Sequence, residues 1–145
     1  MSKVDLAVSA FKEGFLCSQA LLSTYGVAFG LDRETAIKIS AAFGGGICRM
    51  GETCGTVTAA LMVIGLKHGS ADATDREARE RTYGLAREFV RRFAARHHSV
   101  RCKDLLDCDI SEPEGYATAR EKKLFDMLCP RYVRAAAEIL EDILD

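Results

Sequence analysis

Only two prolines, Pro113 and Pro130, interrupt the 145 residues, and nearly every long segment repeats its apolar positions with helical spacing. Ala7, Ala10, Phe11, Gly14, Cys17, Ser18 and Leu21 follow the i, i+3, i+4, i+7 rhythm of one helix face, which predicts a first helix with Cys17 inside it and turned to the core. Asp32 suits the cap of a second helix reaching about Phe43 and burying Ala36, Ile37, Ser40 and Ala41. A third helix is expected from Thr53 or Cys54 to about His68, closed by Gly69. A fourth follows the polar linker 70–74 and runs from about Asp75 to His97, burying Leu85, Phe89 and Phe93. Glu77–Arg81 and Glu88–Arg92 at i, i+4 mark its exposed face. Ser99 can cap a short helix containing Cys102 to Leu106, and Ser111-Glu112-Pro113-Glu114 reads as a capping box. Cys129-Pro130 is expected to open the last helix, because proline is favoured at the first helical position, with Val133, Ala136, Ala137 and Leu140 buried. No segment alternates as a strand would. The expectation is an all-α fold: one domain over 1–145, a compact bundle of about five to six helices.

Hydrophobic residues make up 48% of the chain, enough to close one core at this length. A net charge of -1 supplies no basic surface for nucleic acid or an anionic membrane. The longest apolar run, from Val57 to Leu66, is too short for direct membrane insertion. Charges at Lys3, Asp5, Lys12 and Glu13 leave no signal-peptide core. These features predict a soluble, cytoplasmic protein.

A reducing compartment gives six cysteines a reason other than stapling: metal ligation, an iron–sulfur cluster or thiol redox chemistry. No C-x-x-C occurs, so the local signatures of zinc ribbons, thioredoxin-like dithiols and c-type haem are missing. Cys54, Cys102 and Cys129 fall at predicted helix starts, where free N–H groups and the helix dipole favour thiolate. Packing of the helices can bring them together with Cys17 into a four-sulfur site suited to zinc or to an iron–sulfur cluster. The plain alternative is that free cysteines are small buried hydrophobes. Cys48 and Cys108 are second-rank candidates, since the five residues separating Cys48 from Cys54, and Cys102 from Cys108, make no metal signature.

Other residues near these cysteines have competing readings. Gly44-Gly45-Gly46 either lets backbone approach a cluster or anion, or makes a tight helix connection; no Gly-Lys-Ser/Thr follows to make it a Walker loop. His68, His97 and His98 sit where histidines complement helix C-termini, a commoner role than ligation. Arg49 and Glu52 stand close enough to tune Cys54, which is expected to have the most depressed pKa of the set.

Cys17 with Gln19-Ala20, the turn from Gly44-Gly45-Gly46 to Arg49-Met50-Gly51-Glu52-Thr53, Cys54-Gly55 and two later cysteines together resemble a bacterial and archaeal family of redox-active proteins named for the pattern C_GCAxxG_C_C. The resemblance covers nearly the whole chain and assigns the pattern's cysteines to Cys17, Cys54, Cys102 and Cys129. The chain departs from the motif in Cys54-Gly55-Thr56-Val57-Thr58-Ala59, which replaces its alanine and final glycine while keeping Thr56 and Ala59 small. The family is similar in turn to a domain of split-Soret cytochromes, which implies a cluster-binding helical domain. Family genes lie near transporter genes, which implies a redox partner linked to a membrane transporter. The leading expectation is an electron-transfer or sensing protein with a [2Fe-2S] cluster on Cys17, Cys54, Cys102 and Cys129. The alternatives are a metal-free thiol–disulfide oxidoreductase in which Cys54 attacks, and a zinc-stabilised interaction module. The oligomeric state is left open.

Overall fold

In the computed structural model, which describes residues 1–145, the Ser2 hydroxyl accepts the backbone N–H of Asp5 and starts α1 (Lys3–Lys12). Gly14 ends the run with φ +116°, a dihedral other residues rarely adopt. The chain then re-enters a helix as α2 (Cys17–Tyr25), with the Gln19 side chain accepting the Leu16 N–H at 2.9 Å. The expected single first helix is therefore two. The consequence is local and important: Cys17 is the first residue of α2 rather than an interior position.

Asp32 caps α3 (Arg33–Ile39) by accepting the Thr35 N–H at 3.0 Å. That helix stops short of Phe43. The Ser40 hydroxyl bends back to the Ala36 carbonyl at 2.7 Å, and a 3-10 turn over Ala41–Phe43 follows, leaving Ala41 exposed. α4 (Gly55–His68) is the central element, buried through Val57, Ala59, Ala60, Val63 and Ile64. It lies among α2, α5 (Arg76–His97) and α8 (Leu124–Leu144), while α1 packs on α8. Phe89 and Phe93 of α5 meet Val133 and Leu140 of α8 in the same core.

The charged face of α5 is used between helices. Arg92 bonds Asp142 at 2.8 Å and Arg96 bonds Glu138 at 3.0 Å, both on α8, so the expected Glu88–Arg92 pair is replaced and Glu88 meets Arg91 instead. α6 (Cys102–Leu106) and α7 (Pro113–Glu121) complete eight helices, against the five to six expected. The expected capping box is absent: Glu112 stands at the cap of α7 without a side-chain bond, and the Ser111 hydroxyl is taken by Asp109. α8 starts earlier than expected, so Cys129 and Pro130 lie inside it. Pro130 lacks the N–H that would bond the Asp126 carbonyl. No helix is long and apolar enough to cross a membrane.

Candidate functional site

The glycine-rich turn after Phe43 winds the wrong way. Gly45, Gly46, Ile47, Cys48 and Arg49 all have positive φ, from 42° to 68°. For non-glycine residues this left-handed region costs about 1–2 kcal/mol each. Backbone bonds hold the turn: Cys48 N–H to Ala42 at 2.8 Å, Gly51 N–H to Gly45 at 3.1 Å, and Glu52 N–H to Gly46 at 2.9 Å. Gly46 also has a steric role. A Cβ there would stand 2.6 Å from Cys102 Cβ and 2.6 Å from the Glu52 nitrogen.

Past the turn, the chain pairs briefly with the segment entering α6. Cys54 N–H donates to Val100 at 2.8 Å, Cys102 N–H to Glu52 at 2.6 Å and Lys103 N–H to Gly51 at 3.0 Å, with Thr53 opposite Arg101. Two nitrogens of the Arg101 guanidinium grip the Glu52 carboxylate at 3.3 Å. This clip puts Cys54 and Cys102 on the same face, diagonally across the bridge. One bridge is too short to leave an alternating pattern in the sequence.

Cys17 arrives from the other flank. A Cβ on Gly55 would come within 2.7 Å of the Cys17 sulfur, so glycine after Cys54 is what lets that sulfur approach. Cys129 comes from the first half of α8. Cys17, Cys54, Cys102 and Cys129 all line one cavity of about 810 Å³, with exposed Cys48 at its wall. Cys108 does not line it; its thiol donates to the Gly115 carbonyl at 3.2 Å.

The thiols are electrostatically unequal. Cys54, the N-cap of α4, is lowered from 9.0 to about 7 by the neighbouring Cys17 thiol, the Thr56 hydroxyl at 3.1 Å and the Thr56 and Val57 N–H groups, against the cost of burial. Arg49, expected to contribute, lies over the Tyr116 ring instead, 4.3 Å from its centre. Cys17 is held well above its ordinary value by Cys54 and by burial. Burial and Cys54 push Cys102 up to about 12, and the same causes raise Cys129.

Among other side chains, the Tyr132 hydroxyl donates to the Leu105 carbonyl at 2.5 Å and its ring borders the cavity. His97 stacks edge-on against Tyr132, its Nε2 buried without a partner and outside the cavity wall; the His68 Nε2 is likewise buried and unpaired. Thr56, Tyr132 and the cavity's aromatic rings were not foreseen from sequence. Their apolar helical spacing reads only as core.

No three His, Cys, Asp or Glu side chains converge on a single metal position. A tetrahedral zinc needs its donors about 2.3 Å from one point. A two-iron cluster makes a different demand, with two protein sulfurs at each iron. Cys17, Cys54, Cys102 and Cys129 line the cavity with sulfur, the donor type that iron–sulfur clusters require.

A family model described as "Putative redox-active protein (C_GCAxxG_C_C)" matches residues 15–143. No curated protein and no solved structure matches the chain. With its motif cysteines gathered on one cavity and the match spanning almost all of its length, this chain belongs to the C_GCAxxG_C_C family of redox-active proteins.

Proposed function

We propose that Cys17, Cys54, Cys102 and Cys129 hold a [2Fe-2S] cluster and that the protein transfers electrons or senses redox state, exchanging with a redox partner linked to a membrane transporter. The observation that supports this most is that four thiols from four separate segments line one cavity. The electrostatics agree. Cys102 and Cys129 are so disfavoured as thiolates that they are inert nucleophiles at neutral pH, whereas a bound cation deprotonates its thiols outright. When bound, such a cluster supplies a reversible one-electron couple. The chain's own contribution is to place the sulfurs, to aim the Thr56 hydroxyl and the first N–H groups of α4 at Cys54, and to surround them with a largely apolar lining.

A second reading is favoured by the unequal pair Cys54 and Cys17. The Cys54 thiolate would attack a disulfide, forming a mixed disulfide and expelling one thiolate. Cys17, after losing its proton, would attack the Cys54 sulfur, closing Cys17–Cys54 and releasing the second thiol.

Purification without oxygen, followed by absorbance and iron, sulfide and zinc assays, separates the readings. The expected result is coloured protein with about two iron and two sulfide per chain. Cys54→Ser should lose the iron while circular dichroism holds, because a neutral serine hydroxyl is a poor soft-metal ligand yet a good helix cap. Cys108→Ser should keep it. Colourless, iron-free protein that cycles a Cys17–Cys54 disulfide would establish the second reading, and one zinc per chain a zinc-stabilised module.

A further inference from the structure

The cavity is much larger than four sulfurs and a small inorganic core require. Its volume of about 810 Å³ lies within the range of about 300–1,000 Å³ usual for small-molecule sites, and 16 of its 25 lining residues are hydrophobic. Beyond the thiols the lining carries the rings of Phe11, Phe15, Phe125 and Tyr116. The Tyr116 and Phe125 rings sit 5.9 Å apart at an interplanar angle of 52°.

Apart from the Cys54 thiol, charge on the lining is limited to Lys12, Arg49 and Asp126, all exposed; none of the three is in an ion pair. Arg49 is held with unusual effort. Its backbone belongs to the left-handed turn, and its guanidinium lies against the Tyr116 ring with no carboxylate to neutralise it. A strained backbone persists where the surrounding structure fixes it, and such positions cluster at ligand clamps. A guanidinium fixed on an aromatic face at the edge of an apolar cavity suits an anion joined to a flat apolar body.

We propose that the cavity binds a small planar aromatic molecule carrying one anionic group, with its rings against the aromatic lining and its anion on Arg49. The inference deepens the redox reading by naming the class of molecule that would meet the thiols, but the binding itself does not depend on a cluster. The two cationic side chains of the lining, Arg49 and Lys12, are both exposed, so the ligand's charge is directed outward to the solvent side.

Two fluorescent probes test this on the full reduced chain: 8-anilinonaphthalene-1-sulfonate, and N-phenyl-1-naphthylamine, which has the same rings without the sulfonate. Both should bind saturably, one per chain. Arg49→Gln should weaken the sulfonate by about tenfold and the neutral probe by less than about twofold, since it removes one charge-assisted contact. Arg49→Lys should retain much of the sulfonate affinity. Ala42→Trp, which fills the mouth from an exposed lining position, should abolish both. If Arg49→Gln misfolds by circular dichroism, salt dependence in the wild type replaces it: sodium chloride should weaken the sulfonate alone. No saturable binding, equal loss of both probes in Arg49→Gln, equal salt dependence, or unchanged binding in Ala42→Trp would overturn the inference. Iron content measured on the same samples keeps the two proposals apart. Iron without probe binding removes this inference alone, and probe binding without iron removes the cluster alone.

Discussion

Cys54 and Gly55 show how adjacent residues divide the work of one site. Cys54 takes its charge stabilisation from Thr56, Cys17 and the first N–H groups of α4, and Gly55 keeps a Cβ out of the space where the Cys17 sulfur sits. In the reduced, metal-free protein, alkylation of Cys54 should therefore show a midpoint near pH 7, with Cys102 unreactive until pH nears 12. Thr56→Val should move the Cys54 midpoint upward toward 9.0, because it removes a donor to the thiolate without opening a hole. An unmoved midpoint would assign the stabilisation to other groups. Gly55→Ala separates sterics from helix propensity. Alanine is the better helix former by about 1 kcal/mol, yet here its Cβ would meet the Cys17 sulfur at 2.7 Å. Iron loading should fall and the Cys54 midpoint should rise. Gly65→Ala in the same helix has nothing within 4 Å of the new Cβ and should stabilise the protein by up to about 1 kcal/mol in denaturant titration.

At the scale of elements, the left-handed turn over 45–49 spends stability on position. Cys48 is its exposed, second-rank cysteine, with φ 42°, and glycine would adopt that dihedral freely. Cys48→Gly should raise stability by about 1 kcal/mol, or a few degrees in Tm, and leave iron content unchanged. A loss of iron would instead make Cys48 part of the site. This is also where sequence reading reached its limit. Apolar periodicity located α4 and α5 within a residue or two, because caps such as Asp75 and long buried stripes are local signals. It ran α1 and α2 together, because the spacing from Ala7 to Leu21 continues across Gly14 while the backbone does not. It also placed Cys129 at a helix start, because Cys-Pro is a local start signal and the earlier start of α8 at Leu124 is not. The four cysteines that match the motif are legible in the sequence, but their gathering on one cavity depends on the 51–54 and 100–103 clip and on α2 lying against α4. Those are long-range contacts, and no local spacing encodes them.

For the whole molecule, the thiol set makes stability depend on pH in a way that reports its charge state. Between pH 7 and 9.0 an unfolded Cys54 holds its proton and a folded one does not, so the unfolded state binds more protons and stability rises with pH. His68 and His97, lowered by burial below 6.5, act in the same direction at lower pH. Above 9.0 the sign reverses. Cys17, Cys102 and Cys129 keep their protons in the folded protein after the unfolded chain has lost them, and each costs about 1.4 kcal/mol per pH unit until it ionises. Tyr25, raised by burial and by its bond to Glu141, steepens the fall above 10. Urea denaturation of the reduced, metal-free protein from about pH 6 to 11 should thus show a maximum between about pH 8 and 9, and the double variant Cys102→Ser, Cys129→Ser should flatten the alkaline side. The same titration bears on function. If the four sulfurs carry a cluster, they are thiolates in the loaded fold at every pH of the series, so loading should remove most of the alkaline decline. A loaded protein that declines as steeply as the metal-free one would mean that Cys102 and Cys129 still hold their protons and are not ligands.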